Sequence, residues 1–537
     1  MATIFVDDYL QGTTPSQVRT AIQAAISFLA DGDTLCFGEQ KEYHIDEEIC
    51  LDDFSDLMVD GRGSTLVREG YDPKDRREQK NSIFHFERLQ HTTFRNLKLD
   101  YAANLSASGR IVAIGDQYVD VELVPADRSL TGEESFMAVD TLDDDGTVNH
   151  DIACSVLDRY ACEKIDEKTL RIHCPTMNGR IGELLVARMA VSGVASPVLL
   201  CACCRDMTFE NIRVYKAPCM VFYISSDSGS YTFRHIVAKA KEGTNRLIGA
   251  NADIFHVCGI EGSLTLEDSE FVGLGDDVLN VHTCGARVLQ TKGKELWLEE
   301  AYFRKSLRPD FVEHGQVLAA YDFETFHCKG QAKVAIRDGD YIVLEKEIPS
   351  LHVGDFLANV SLLPKVVVRN CRFDSGRARA LLIRSRDVLI ENCRFSHFAL
   401  SGILVAADLD FWFEMVPAQK VVIRNNTLLR TGEGVTDTIL GAIAVKLSDD
   451  KVFLNYGHDI FENIVITNNF IEGTAKNGIF AQSVKVLAVQ NNRISHYGEK
   501  PNSHPDNDKA IRLINCDETT IEGNVFDHAG ISIEKRS

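Results

Sequence analysis

The chain has 537 residues, 45% of them hydrophobic, which supplies a large core and excludes disorder over any long stretch. Its formal net charge of −22 argues against nucleic acid or an anionic membrane as partner; it fits a neutral substrate, and it fits many ordinary soluble enzymes equally well. The 15 cysteines have no framework spacing, Met1 opens no basic-then-apolar leader, and no run reaches about 20 apolar residues, so the expected location is cytoplasmic, or secreted if a leader has been removed.

From the amino end, Thr14-Pro15-Ser16-Gln17 reads as a helix cap, with Val18, Ile22, Ala25, Ile26 and Leu29 at helical spacing behind it. Asp31-Gly32-Asp33-Thr34 ends that helix, and Leu35-Cys36-Phe37 reads as a strand. Next comes the phrase Phe94-Arg95-Asn96-Leu97-Lys98-Leu99, which returns as Phe209-Glu210-Asn211-Ile212-Arg213-Val214. Between the two, residues 106–198 alternate at period two, as in Tyr118-Val119-Asp120-Val121-Glu122-Leu123, and predict a small antiparallel module. Cys201, Cys203 and Cys204 fall in an apolar run and suit buried thiols better than disulfides. Residues 283–364, with Glu295-Leu296-Trp297-Leu298 and Tyr341-Ile342-Val343-Leu344, predict a second such module.

From residue 365 the phrase dominates. It reads Val368-Arg369-Asn370-Cys371-Arg372-Phe373, Ile390-Glu391-Asn392-Cys393-Arg394-Phe395, Ile423-Arg424-Asn425-Asn426-Thr427-Leu428, Ile466-Thr467-Asn468-Asn469-Phe470-Ile471 and Val489-Gln490-Asn491-Asn492-Arg493-Ile494. The nearest copies lie about 22 residues apart, the mark of a parallel β-helix with short strands and tight turns. The Asn tolerates the left-handed backbone of a turn, and stacked Asn side chains can hydrogen-bond along the ladder. A leucine-rich horseshoe would need regular Leu-x-Leu spacing, which is absent. The expected organisation is all-β: solenoid over 1–105, a module over 106–198, solenoid over 199–282, a second module over 283–364 and solenoid over 365–537. The amino-terminal helix would cover the open end.

The chemistry-bearing stretch runs from Asn251-Ala252-Asp253 to Gly275-Asp276-Asp277 and Asn280-Val281-His282. If these segments stack as neighbouring rungs, Asp253 sits beside Asp276 and Asp277, and acid–base hydrolysis of a glycosidic bond needs such paired carboxyls. On an extended strand Asp276 and Asp277 would face opposite sides, so both reach one cleft only where the backbone bends, as Gly273 and Gly275 permit. An Asp-Asp pair also marks ordinary turns. His256 and His282 follow the acidic residues closely and fit a sugar hydroxyl or a structural role. Trp412, in Asp410-Phe411-Trp412-Phe413-Glu414, suits the apolar face of a pyranose or simple loop packing. Arg377-Ala378-Arg379-Ala380 offers a fixed donor or a solvated charge. No Walker loop, dinucleotide fingerprint, zinc-protease helix or Ser elbow is present, and neither metal nor cofactor is expected.

The set Asn251-Ala252-Asp253 with His256, Asp276-Asp277-Val278-Leu279-Asn280-Val281-His282, Gly354-Asp355-Phe356-Leu357-Ala358-Asn359, Arg377-Ala378-Arg379-Ala380 and Phe411-Trp412-Phe413-Glu414 resembles glycoside hydrolase family 110, the inverting exo-α-1,3-galactosidases. The resemblance implies a right-handed parallel β-helix with two inserted β-barrels, and a carbohydrate substrate ending in α-galactose, with blood-group-B-type and linear acceptors both open. It implies Asp276 as general acid, and Asp253 and Asp277 as the groups that activate water. His256, His282, Arg379, Trp412 and Glu414 would shape the sugar pocket. Inversion would separate acid and base carboxyls by roughly 6.5–9.5 Å. One departure stands out: Ile254-Phe255 occupies a region where the family pattern carries Gly, which predicts a narrowed or reshaped subsite. The rivals are a polygalacturonase-like hydrolase, whose Gly-His-Gly and Arg-Ile-Lys motifs are missing, and a non-catalytic glycan-binding β-helix. A flat coil face would leave homodimerisation open.

Overall fold

In a computed structural model the chain forms a right-handed parallel β-helix whose coils stack three strand columns. It describes all residues except 71–81, 145–147, 149–158, 175–178, 190–196, 300–311, 409–413, 435–439, 448–458, 500–506, 529 and 536–537. One complete coil shows the pattern: Lys365–Arg369, Arg372–Gly376 and Leu381–Ile383 follow one another, and Arg386–Glu391 then pairs in parallel with Lys365–Arg369. Inward side chains repeat from coil to coil. Phe209 and Phe233 stack at 5.2 Å, Phe222 and Phe255 at 5.0 Å, and Phe373 and Phe395 at 4.8 Å. Each such fully buried ring contributes roughly 1.5–3 kcal/mol.

The corner after the first strand explains the repeated phrase. Its first Asn takes the left-handed conformation, with φ near +56° at Asn370 and Asn392 and +57° at Asn425. The next residue turns inward and joins a ladder. Asn469 Oδ1 accepts from the Asn426 backbone N–H at 3.0 Å, Asn492 Oδ1 accepts from that of Asn469 at 3.0 Å, and Asn524 Oδ1 accepts from that of Asn492 at 2.9 Å. Each amide nitrogen in turn donates to a carbonyl one coil back, as Asn469 Nδ2 does to Ile423 O at 3.0 Å. Cys371 and Cys393 fill the same buried place in the earlier coils. Cys201 and Cys204 are buried as well, whereas Cys203 is exposed: it sits at a turn with φ +54°, which points its side chain away from the core.

The helix Pro15–Ile26 caps the amino end. Thr14 and Gln17 form a reciprocal capping box, and Val18, Ile22 and Ala25 join the solenoid core. Two antiparallel barrels interrupt the coils. The first closes through Ser106–Gly115, Tyr118–Leu123, Thr169–Ile172, Tyr160–Lys164, Ser135–Leu142 and Leu184–Met189. The second closes through Leu279–Lys292, Glu295–Glu299, Tyr341–Leu344, Cys328–Asp338, Val317–Tyr321 and Phe356–Asn359. Its first strand begins inside the solenoid, paired in parallel with Phe255–Ile260 and Leu381–Ile383, and ends in the barrel.

One expectation changes. Ile254 and Phe255 are buried in the solenoid core, Phe255 edge-on to Phe233 at 4.7 Å, so their bulk fills the interior and does not narrow a cleft. Trp297 lies against Tyr341 at 5.0 Å within the second barrel, a packing role. Among the described residues no helix is long and apolar enough to cross a membrane.

Candidate active site

The acidic residues sit at the corner between the second and third strands of consecutive coils. Parallel register pairs Phe255 with Leu279 and Leu279 with Leu381. Two residues earlier, the same register stacks Asp253, Asp277 and Arg379 in one column, and backbone bonds Ile254 N–H to Asp277 O and Val278 N–H to Arg379 O seal it. The chain bends at Gly275, so Asp276 joins the same side: one carboxylate oxygen from each of Asp253, Asp276 and Asp277 lies within 4.8 Å of the others. Gly275 has little room for a side chain, since a Cβ there would stand 2.5 Å from Asn251 O. The bend that adjacent aspartates require is thus present. Stacked coils lie only about 4.8 Å apart, which keeps the three carboxyls in one compact cluster.

The three carboxyls have different surroundings. Asp277 is buried and fully engaged: Oδ1 accepts from the Arg379 backbone N–H at 2.9 Å and from Nε at 2.8 Å, and Oδ2 accepts from Nη2 at 2.6 Å. Burial raises its pKa, with the guanidinium opposing. Asp253 is buried beside His256, whose Nδ1 lies 2.8 Å from Oδ2. Burial pushes Asp253 up to about 7, His256 pulls it down, and the neighbouring aspartates add to the rise. Asp276 is the partly exposed member.

Outward positions of the third strand column line the floor. His256 and Asn280 are register partners, as are Cys258 and His282. His282 Nε2 stands 3.3 Å from His256 Nε2 and 3.6 Å from Glu414 Oε1. Glu414 arrives on the short strand Glu414–Met415, which pairs antiparallel with Thr283 and Cys284. Burial alone would raise its pKa, yet His282, Arg384, His256 and Asn280 together hold it at about 2. Arg384 donates to Glu414 Oε2 at 2.5 Å and to Asn280 Oδ1 at 3.2 Å. Tyr223, one coil before His256, stacks on its ring at 5.4 Å.

Of the residues named from sequence, Asp253, Asp276, Asp277, His256, His282, Arg379 and Glu414 come together, while Trp412 lies outside the described residues. Arg377 faces the first barrel, where it donates to Asp140 at 3.1 Å. The motif contained Asn280 without a role for it, and Tyr223, Arg384 and Arg188 were not singled out at all. The first three share the outward parity of His256 and His282, a signal that needs the coil register before it can be read. Arg188 comes from the first barrel. It pairs with Asp140 at 2.9 Å and donates to the carbonyls of Asn251 and Gly275, which holds both acidic corners in place.

No family model matches the chain. It is similar to alpha-1,3-galactosidase B of Bacteroides thetaiotaomicron, at 24% identity over 72% of this chain and 66% of that protein. It is also similar to alpha-1,3-galactosidase A of Bacteroides fragilis, at 23% identity over 91% of this chain and 84% of that one. Among solved structures, the catalytic domain of a GH87 alpha-1,3-glucanase aligns at 12% identity with a TM-score of 0.44, over 97% of this chain and 64% of that one. This β-helical chain is a relative of proteins named alpha-1,3-galactosidase.

Proposed function

We propose that this protein is a glycoside hydrolase that removes terminal α-1,3-linked galactose from oligosaccharides or glycans by an inverting acid–base mechanism. The relatives' names support the substrate class. The observation that carries the chemistry is the trio Asp253, Asp276 and Asp277 on two adjacent corners, with Asp276 partly exposed. Asp276, the accessible carboxyl, protonates the departing glycosidic oxygen. Asp253, its pKa lifted near neutrality, is a stronger base than an ordinary carboxylate and takes a proton from the attacking water. Asp277, clamped by Arg379, holds a negative charge beside the positive charge that develops on the sugar ring. His256, His282, Arg384 and Glu414 supply donors and acceptors for hydroxyls.

The compact cluster makes stereochemistry the decisive measurement. The nearest oxygens of the trio lie within 4.8 Å of one another, and the separation of acid and base carboxyls is roughly 6.5–9.5 Å in inverting enzymes and roughly 5–5.5 Å in retaining ones. A proton NMR time course with branched and linear α-1,3-galactosyl oligosaccharides reads the first anomer released. β-Galactose is the expected product. α-Galactose would replace inversion by a covalent intermediate, and no release from either substrate would leave a glycan-binding β-helix.

A further inference from the structure

Behind the carboxylate trio, two imidazoles turn the same nitrogen toward each other. His256 Nδ1 lies 2.8 Å from Asp253 Oδ2, and His282 Nδ1 lies 3.2 Å from the backbone carbonyl of Thr283. With Nδ1 engaged in this way, each ring presents Nε2 as its remaining ligand atom. The two Nε2 atoms stand 3.3 Å apart, and Glu414 brings Oε1 to 3.6 Å from one of them. One donor atom from each residue lies within 4.8 Å of the others, and all three side chains are buried. Two imidazole nitrogens and a carboxylate oxygen converging in this way form a ligand set for a metal ion.

We propose that His256, His282 and Glu414 bind a divalent transition-metal ion, with Zn²⁺ the best match. Two Zn–N bonds of about 2.0–2.1 Å at a tetrahedral angle span about 3.3 Å, the separation the imidazoles already have. Ligand histidines characteristically donate their other N–H to a carboxylate or a backbone carbonyl, and both do so here. Glu414 is oriented by Arg384 on Oε2 and by Asn280 Nδ2, 3.3 Å from each oxygen, which aims Oε1 at the imidazoles. Two imidazole nitrogens and one carboxylate oxygen suit an imidazole-binding ion over Ca²⁺ or Mg²⁺, which take oxygen ligands. Three protein ligands leave a position for an oxygen ligand, so these side chains would meet a sugar hydroxyl through the ion. The ligands come from separate coils, so no short sequence motif announces them.

The test is metal binding, independent of hydrolysis. The full chain as purified is assayed for metal by mass spectrometry, then stripped with chelator and titrated with ZnCl₂ by calorimetry near neutral pH. One Zn²⁺ per chain is expected, with a rise in Tm on addition. H282Q and E414Q should each weaken Zn²⁺ binding at least about tenfold while circular dichroism stays unchanged. D276N should keep the metal and lose turnover, so that failure of the metal site and failure of the hydrolase reading are told apart. No Zn²⁺ uptake by the wild type overturns the proposal, as does unchanged affinity in a folded H282Q. A proton shared between the two Nε2 atoms, seen by NMR in a chain that takes up no Zn²⁺, would assign the pair to an imidazolium instead. If neither variant folds, metal content and the wild-type titration decide.

Discussion

At the corner after its first strand, each coil places like on like, and at the next corner it places unlike on unlike. Asn426, Asn469, Asn492 and Asn524 each complete the hydrogen bonds of a neighbour, so the corner is self-satisfied and can be extended coil by coil. One corner further on, Asp253 and Asp277 stack as like charges and Arg379 follows as a counter-charge. There the repeat supplies only positions, and the interactions are particular to three coils. Repetition stabilises, and departure from repetition concentrates charge where a substrate can meet it.

Mutations that separate the two corners sharpen this contrast. The largest effect is expected for Asp276→Asn, which removes a proton donor and almost no volume: kcat for galactoside hydrolysis should fall by about 10²–10⁴, with Tm essentially unchanged. Turnover near wild type would remove Asp276 from the acid role. Arg379→Met strands the buried Asp277 carboxylate and should cost about 3 kcal/mol in chemical denaturation. Adding Asp277→Asn should restore most of that stability and none of the activity. If the double variant is no more stable than the single one, the two residues do not act as a pair. On the ladder side, Asn469→Ala leaves a backbone N–H and an amide of Asn426 without their acceptor and should cost about 2 kcal/mol. Its kcat/KM should not move; a large drop would mean that the ladder is coupled to the site.

The smallest effect concerns Asp374 on the outer wall. Burial would raise its pKa, but His397, Ser396 and Arg372 outweigh burial and set it at about 2. A folded-state pKa below the unfolded one gives stability that is present above the ordinary value of 3.8 and is lost as pH falls toward 2. The side chain is 17% exposed but its partner Arg372 is 52% exposed, so solvent screening limits its share to about 1 kcal/mol or less. Asp374→Asn should therefore lower Tm slightly at pH 7 and leave it unchanged near pH 2. A gap that widens on acidification would contradict this.

The solenoid was legible because its phrase recurs with the same chemistry: Asn for the turn, apolar residues for the interior. The capping helix was legible from Thr14 to Gln17 for the same local reason. The acidic corner could be read as far as its residue types, with Gly275 marking the bend. What the sequence could not provide was distance. The close packing of Asp253 on Asp277 follows from coil register, which also turned Ile254 and Phe255 inward and made their bulk harmless. Arg384 and Tyr223 were invisible because alternation identifies an outward residue only once its strand has a neighbour. Arg188 was invisible because a barrel residue reaches the corner through tertiary contact alone.

The strand Leu279–Lys292 carries one more consequence. Solenoids open coil by coil, because each repeat touches only its neighbours. This strand belongs both to the coil stack and to a closed barrel, so its coil cannot peel away without breaking a second structure. The strand acts as a rivet partway along an otherwise zipper-like molecule. Amide hydrogens at Asn280 and His282 should exchange in step with those of Val288 in the barrel, while the carboxy-terminal coils release theirs sooner.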